Sequence, residues 1–382
     1  MISLRNNTGF TRKADAWRSG GKTAVAAVVG ACALSVFAFV SRDDGMDLAR
    51  PGPGIGASVA KSDSIWATAG HEIPVSDALA AVHAFHNAVA GDVIVFSPGT
   101  YRFAGTGVDL TRAGRAGAPI VVRAKQLGTA TIEFDAVEGF RVAAPFWTFE
   151  NLVVRGVCPH HDDCEHAFHI VGNAHDVVLR NNVLRDFNAQ VKINGEGGKF
   201  PDGGRIEGNT LIDSTPRETD HPVTPIDLVA ASGWTIQDNF IADFIKARGD
   251  GTSYGAFAKG AGAGNRFLRN TVICEYRLRG MPGARVGLSF GGGGTGAPFC
   301  RDRRCAFEEE GGTMAGNRIE SCSDDGIYLN RSARTRLVSN TVLDTAGVVA
   351  RFPQTDVYAI GNRIDAPVRA REGARLDVGE SR

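Results

Sequence analysis

Two lysines lie in segments where apolar and polar residues alternate, which is the pattern of half-buried strands. Lys192 lies in the run 190–194, and Lys259 closes the run 256–259, 67 residues later. A lysine whose pKa falls can accept a proton, and a charged lysine attracts anionic groups. Many residues between the two lysines are ionisable or polar: Arg217, Glu218, Asp220, His221, Asp227, Asp250 and Tyr254. Together they predict an acid–base site for an anionic ligand.

The segment 215–225 combines charge with several prolines, which restrict its backbone. We expect it to form one wall of the site, although an ordered surface loop would have the same composition. The predicted catalytic residues are Lys259, Lys192 and Tyr254. The predicted substrate-binding residues are Arg217, Glu218, His221, Asp227, Arg266 and Arg301.

The segment 158–166 holds two cysteines, three histidines and three acidic residues. Cys158, His160, His161 and Cys164 could ligate zinc, but the C-x2-C spacing of many zinc sites is missing. A disulfide between Cys158 and Cys164 is the preferred interpretation, because the six cysteines that follow the N-terminal segment are an even number, which fits disulfides in an exported protein. Cys300 and Cys305 are also close enough to pair, which leaves Cys274 and Cys322, but the spacing alone does not fix these pairings.

A glycine-rich run at 291–296 leads into the cysteines at 300 and 305. It resembles a phosphate-binding loop only in its glycines, since no Gly-Lys-Ser/Thr follows. We interpret it as an insertion whose arginines, Arg301 among them, could hold an anionic sugar.

Asp324 and Asp325 are adjacent, and paired carboxylates can hydrolyse glycosides. The sequence Asp-Asp-Gly is equally typical of a turn. Neighbouring strand residues also point to opposite faces of a sheet, so both carboxylates would not face one substrate. A glycoside hydrolase is therefore kept as an alternative function.

A short phrase, an asparagine followed by apolar or β-branched residues, recurs along the chain. Its copies lie 22 to 31 residues apart, except for one gap of 47 residues. Such periods indicate a solenoid, and the short β-branched runs indicate strands rather than helices. The asparagines begin the phrases at Asn151, Asn182, Asn209, Asn239, Asn270, Asn317, Asn340 and Asn362. We expect them to tolerate a left-handed corner and to stack from coil to coil.

Residues 75–89 have apolar residues at helical spacing and a capping Ser76 or Asp77, so they predict a helix that closes the end of the solenoid. The phrase AGDVIVFSPGTY follows at 90–101. With the asparagine-marked coils, it resembles the opening of right-handed parallel β-helix proteins of the pectate-lyase-like superfamily. The resemblance covers residues 70–365 and implies an all-β, single-stranded right-handed parallel β-helix of about ten coils with a short N-terminal capping helix.

Within that superfamily the chain is similar to the alginate lyase and chondroitinase B family of polysaccharide lyases. The segment 256–270 resembles that family's lysine-bearing strand, small-residue turn and asparagine-marked strand. The resemblance implies Lys259 as the base and an arginine one coil later, Arg279 or Arg285, as its partner. It also implies calcium, although Tyr254 and Thr252 stand where acidic ligands are expected.

These residues predict β-elimination on a uronate-containing polysaccharide. That reaction needs a group that neutralises the carboxylate, a base for the α-proton and an acid for the leaving oxygen. A non-catalytic surface protein that binds glycan or protein is the alternative from another functional class.

The 18 residues at 23–40 are free of charge and follow five basic residues, which predicts export. We expect a signal peptide or membrane anchor at 1–40, a Pro/Gly-rich linker at 41–62 and the β-helix at 63–382. Contact with a membrane would then involve only the N-terminal segment, in the periplasm or outside the cell. The 42 basic and 42 acidic residues balance, which argues against a nucleic-acid partner. We expect a monomer.

Overall fold

The computed structural model describes residues 70–379. The predicted signal peptide or anchor at 1–40, the predicted linker at 41–62 and the predicted start of the β-helix domain at 63 lie outside these residues. Within them, no helix is long and apolar enough to cross a membrane.

Residues 70–379 form a right-handed parallel β-helix in which every strand pairing of the main sheets is parallel. Each typical coil gives one strand to each of three sheets in turn. Residues 178–180, 183–185 and 189–194 are one such coil. Two of these three sheets contain ten strands each, so the prediction of about ten coils is confirmed.

The strands follow this order along the helix axis. Sheet A contains Glu72–Val75, Val93–Phe96, Ile120–Ala124, Trp147–Glu150, Val178–Arg180, Arg205–Glu207, Thr235–Gln237, Arg266–Leu268, Thr313–Ala315, Thr335–Val338, Asp356–Ile360 and Arg375–Val378. Sheet B contains Gly99–Ala104, Ala130–Asp135, Val153–Gly156, Val183–Arg185, Thr210–Ile212, Phe240–Ala242, Thr271–Ile273, Arg318–Glu320, Thr341–Leu343 and Arg363–Ile364. Sheet C contains Val108–Leu110, Glu138–Val142, His166–Val171, Ala189–Asn194, Ile226–Val229, Thr252–Lys259, Ala284–Phe290, Ile327–Asn330, Val348–Arg351 and Val368–Arg371. Gly262–Ala263, Glu309–Glu310 and Ser332–Ala333 form a small fourth sheet.

The predicted capping helix is present at Ala78–Asn87. Asp77 accepts a hydrogen bond from the backbone of Ala80 at 2.8 Å, which satisfies one of the free amides of the first turn. On its inner face the helix buries Phe85, whose ring lies edge-on to Phe140 inside the coils. The helix therefore covers apolar core that an open coil would expose.

Seven asparagines stack at the corner between sheets A and B. Asn270 is typical: its side-chain oxygen accepts from the backbone and the amide of Asn239, and its own amide donates to Ile236. The ladder contains Asn182, Asn209, Asn239, Asn270, Asn317, Asn340 and Asn362. It stays continuous across the 47-residue gap, so the inserted residues leave the stack intact.

Two details of the asparagine prediction are wrong. The left-handed backbone belongs to the residue before each ladder asparagine, such as Asn181, Asp238 or Arg269. Asn151 lies one position out of register, since it bonds to Asn181 while the amide of Leu152 donates to the ladder. The ladder asparagines are thus selected for buried hydrogen bonding, and the neighbouring residue makes the corner.

Three disulfides join the six cysteines of residues 70–379, in the predicted pairs. Cys158–Cys164 and Cys300–Cys305 close short loops, and Cys274–Cys322 joins two successive coils across 48 residues. Because the sulfurs of Cys158 and Cys164 are bonded to each other, they offer no thiolate to the zinc site considered with His160 and His161.

The Cys274–Cys322 bond is expected to stabilise the protein more than the Cys300–Cys305 bond. Chain entropy assigns about 4 kcal/mol to a loop of 48 residues and about 2 kcal/mol to one of 5 residues. The double variant Cys274→Ala/Cys322→Ala should therefore lose about 2 kcal/mol more unfolding free energy than Cys300→Ala/Cys305→Ala. Denaturant unfolding of both variants measures this, and an equal loss would contradict it.

Candidate functional site

The outer face of sheet C gathers the central residues of the site. Lys192, Asp227 and Phe257 occupy the same register position on three successive strands. The Lys192 ammonium lies 2.8 Å from one carboxylate oxygen of Asp227. Asp227 is 4% exposed, and its second oxygen is buried without a partner among residues 70–379. A buried carboxylate oxygen with no donor is a ready acceptor for a ligand hydroxyl.

Lys259 and Tyr254 lie on either side of Phe257. The Lys259 ammonium lies 4.3 Å from the centre of the Phe257 ring, and the Tyr254 ring meets the same ring edge-on at 5.5 Å. Lys259 also donates to the carbonyl of Gly294 at 3.4 Å. Tyr254, Lys259, Lys192 and Asp227 thus form one cluster, in which the strands of the two lysines are two coils apart as predicted.

The surroundings shift the two groups that would move protons. Burial lowers the pKa of Lys259, and the charge of Lys192 lowers it further, while Asp227 and Glu308 oppose the shift. Burial raises the pKa of Tyr254 to about 12. Lys259 therefore loses its proton more readily than an ordinary lysine, and Tyr254 stays protonated as a donor.

Two histidines extend the cluster toward the N-terminal coils. His169 shares its register position with Lys192, and its ring nitrogens face Glu138 at 2.8 Å and Asn194 at 2.7 Å. His166 packs beside it, with ring centres 5.2 Å apart, and burial lowers the pKa of His166 to about 4. From its sequence position, His166 was grouped with the cysteine cluster, and His169 was not selected as a site residue. Their position one coil before Lys192 was the signal that could have placed them here.

The loop at 215–225 packs against the segment 158–166. The backbone of Glu218 donates to His161 at 2.7 Å, and His221 contacts Glu165, which neighbours His166. Arg217 is only 2% exposed and donates to Asn188 at 3.0 Å. This burial does not fit its predicted substrate-binding role, because the side chain is used to fix the loop.

The insertion at 291–312 adjoins Lys259. Gly292 lies against Phe257 and the Lys259 stem, in a backbone conformation that suits glycine. Buried Glu308 accepts from the backbones of Gly260 and Thr295 and so holds the insertion in place. Arg301 forms two bonds to Asp202 at 2.7 and 2.8 Å and stacks on Phe200. Arg301 is therefore used mainly to pin the insertion, not to clamp a ligand.

Three other arginines do not lie beside the lysines. Arg266 belongs to sheet A and donates to Thr235 on that sheet, so its prediction as a substrate ligand of the lysine cluster is wrong. Arg279 lies in the loop before the strand Ala284–Phe290 and donates to the carbonyl of Tyr276. Arg285 is buried and pairs with Glu275 at 2.7 Å. Within residues 70–379 neither the Arg279 nor the Arg285 side chain forms a hydrogen bond or ion pair with Lys192, Tyr254 or Lys259.

The cluster does not suit calcium, which takes about six to eight oxygen ligands. Asp227 is the carboxylate at its centre, and Lys192 holds one of its oxygens. Asp250 is exposed and pairs with Lys246 at 2.7 Å. Across the described residues, the one close group of potential metal ligands is Cys300, Asp302 and Cys305, whose two sulfurs form a disulfide.

Asp324 and Asp325 lie before the strand Ile327–Asn330. Burial and the neighbouring Asp324 raise the pKa of Asp325 to about 6, and Arg369 donates to its carboxylate at 3.1 Å. The strand that follows lies three strands along sheet C from that of Asp227. This strand position sets Asp325 apart from Asp227, and the hydrolase alternative, in which Asp324 and Asp325 act as a pair with each other, stays a prediction.

The fold is similar to solved structures of polysaccharide lyases. A rhamnogalacturonan lyase superposes with a TM-score of 0.59 at 14% identity, covering 79% of this chain and 82% of that chain. A pectate lyase superposes with a TM-score of 0.52 at 12% identity, covering 78% of this chain and 72% of that chain. This chain shares their parallel β-helix. At these identities the likeness concerns the fold alone. The predicted resemblance to pectate-lyase-like β-helix proteins is confirmed at that level.

A weaker likeness, with a TM-score of 0.40 at 15% identity, is to an alginate lyase from Paenibacillus sp. str. FPU-7. It covers 81% of this chain and 99% of that chain. No protein-family model and no curated protein sequence matches this chain.

Proposed function

We propose that this protein binds an acidic polysaccharide on the outer face of sheet C and cleaves it by β-elimination. The observation that carries the proposal is the cluster of Lys192, Asp227, Tyr254 and Lys259. It combines a held cation, an amine with a lowered pKa and a protonated phenol on one face. The polysaccharide-lyase fold supports a polymer as the substrate.

Each residue of the cluster has one role in the proposed reaction. Lys192, oriented by Asp227, neutralises the uronate carboxylate so that the α-proton becomes acidic. Lys259, as the free amine, removes that proton, and the electron pair forms the carbon–carbon double bond as the glycosidic oxygen leaves. Tyr254 donates a proton to that oxygen. The unpaired oxygen of Asp227 accepts a sugar hydroxyl.

The location of the protein is part of the proposal. Three disulfides among the described residues agree with an oxidising compartment, as expected for an exported protein that meets polysaccharide outside the cytoplasm.

The decisive experiment is an assay of unsaturated uronate products by their ultraviolet absorbance. Alginate, pectate and glycosaminoglycans are each incubated with the protein, with a chelator in a parallel series. The proposal expects absorbance to grow on at least one polymer and to persist with the chelator, because the cluster does not suit calcium. Binding to a polymer without product would instead favour the non-catalytic alternative.

One contact favours that alternative. The Lys259 ammonium already donates a hydrogen bond to Gly294 and lies over the Phe257 ring. These contacts would hold it in the same position on a surface that only binds a ligand. The arginine that the resemblance implies is also absent from the cluster among residues 70–379. Product formation decides between the two functions, since a binding surface yields none.

Lys192→Gln should weaken substrate binding and leave Asp227 without its cation. We expect KM to rise about tenfold, as for loss of one charge-assisted hydrogen bond, and kcat to fall as well, because the α-proton of an unneutralised uronate is less acidic. Unfolding free energy should fall by roughly 1 to 3 kcal/mol, less than for a fully buried pair because Lys192 is partly exposed.

The double variant Lys192→Gln/Asp227→Asn separates these effects. It removes the unpaired charge, so stability should return while KM stays high. A return of KM with stability would mean that Lys192 acts only by supporting the fold. Steady-state kinetics and denaturant unfolding of both variants provide the measurements.

A further inference from the structure

The outer face of sheet B carries two adjacent arginines that have too few partners. Arg155 and Arg185 are directly paired in register on neighbouring strands. Like charges placed opposite each other in a sheet are destabilising unless something neutralises them. Sheet A shows the usual solution, since Arg123 there lies beside Glu72 at 2.7 Å and Arg180 is paired with Glu150.

The guanidinium donors of this pair are poorly satisfied. The Nε atom of Arg155 is buried without a hydrogen bond, and its ion pairs with Glu133 and Asp186 are stretched to 3.9 Å. The Arg185 side chain makes no hydrogen bond or ion pair within residues 70–379, and its Nε atom is also buried. A buried donor without an acceptor points to a water or ion that completes the site.

Two of the nearby carboxylates, Asp186 and Asp243, are engaged elsewhere, while Glu133 lies 3.9 Å from Arg155. Asp186 accepts from the backbone and the hydroxyl of Ser214. Asp243 accepts from the backbone of Tyr276 and from Arg277. Burial lowers the pKa of Arg185, and the charges of Arg155 and Arg277 lower it further, against the opposing effect of Asp186. The local field therefore favours an additional anion.

We propose that Arg155 and Arg185 bind a doubly charged oxyanion, a sulfate or phosphate group, with Arg277 at the margin of the site. Guanidinium groups match such oxygens with paired N–H donors. Arg155 is 42% exposed, so the group can enter from solvent. A recess of about 320 Å³, bordered by Arg155, Ser214 and Arg217, lies beside it and leaves room for what carries the group. This site lies on a different sheet from Lys192 and Lys259 and does not depend on the proposed lyase activity.

The test is calorimetric titration of the full chain with sodium sulfate at constant ionic strength, held with sodium chloride. Arg185→Gln and Arg155→Gln are the test variants. Arg102→Gln is the matched control, because Arg102 lies on the same sheet but is exposed and already paired with Asp135. Wild type and Arg102→Gln should bind sulfate alike, and each test variant should bind about tenfold more weakly or worse.

A second titration identifies the source of the group. Chondroitin sulfate is compared with unsulfated polygalacturonate, using the same variants. Binding of chondroitin sulfate alone, lost in Arg185→Gln, would support a group carried by a polymer, and binding of free sulfate would support a soluble ion. The proposal is overturned if neither probe binds, or if both test variants bind as tightly as wild type.

Discussion

Replacing Lys259 by alanine is expected to lower the rate of uronate elimination by about 10²- to 10⁴-fold, the usual contribution of a general base. Stability should change little, because among the described residues the Lys259 ammonium makes one long hydrogen bond, to Gly294, and a contact with the Phe257 ring. Product absorbance and a melting curve provide the two readouts. Lys125→Ala, which removes an exposed lysine, is the control and should retain the wild-type rate.

Lys259→Arg separates a base from a binding cation. Arginine keeps the positive charge but does not give up its proton at accessible pH. If Lys259 is the base, the arginine variant should be as inactive as the alanine variant while still binding polymer. An arginine variant that retains most of the rate would show that only the charge of Lys259 is needed.

The pH dependence follows from the same shift. Burial lowers the pKa of Lys259, so the fraction of free amine grows as the pH rises through a value below that of an ordinary lysine. The rate should therefore increase with pH and level off before an unperturbed lysine would lose its proton. Tyr254, with a pKa near 12, should remain a donor throughout that range. A rate that falls as the pH rises from neutral would contradict these roles.

Asn270→Ala is expected to lower the free energy of unfolding by roughly 5 kcal/mol. The change removes the acceptor for the backbone and amide of Asn239 and the donor to Ile236, all buried. Each buried polar group that loses its partner costs about 1 to 3 kcal/mol. Denaturant unfolding measures the loss. Asn173→Ala, at an exposed asparagine outside the ladder, should change stability by less than about 0.5 kcal/mol. Equal losses in the two variants would mean that the ladder does not stabilise the coils.

Much of the fold could be predicted from local patterns. The recurring asparagines, the short β-branched runs and the capping signal at Asp77 each reflect a local requirement, and the coils and helix follow them. The role of the asparagines was only half predicted. A residue type compatible with a tight corner does not reveal which of two neighbours adopts the left-handed backbone, as Asn181 and Asn182 illustrate.

The candidate site was predicted less completely, because charge and spacing do not show what a side chain contacts. Lys192 and Lys259 could be distinguished from the other lysines because each lies in a strand-like run. Their separation in the sequence also corresponds to two coils. Arg217 and Arg301 are residues of a type that equally suits an anionic ligand. In the structure, however, Arg217 is buried against Asn188 and Arg301 is bonded to Asp202. His169 was not selected, because its place beside Lys192 depends on strand register rather than on a motif.

Periodicity, caps and residue counts were enough to predict a β-solenoid, its capping helix and the cysteines available for disulfides, and the resemblance added the right-handed parallel β-helix. Which charged groups remain available to a ligand depends instead on tertiary contacts. Stacking brings residues from coils about 30 positions apart into contact, so the partner of Lys192 is Asp227, and Arg155 meets Arg185 with no acid between them. Whether a charge is neutralised depends on those contacts, and no local pattern in the sequence encodes them.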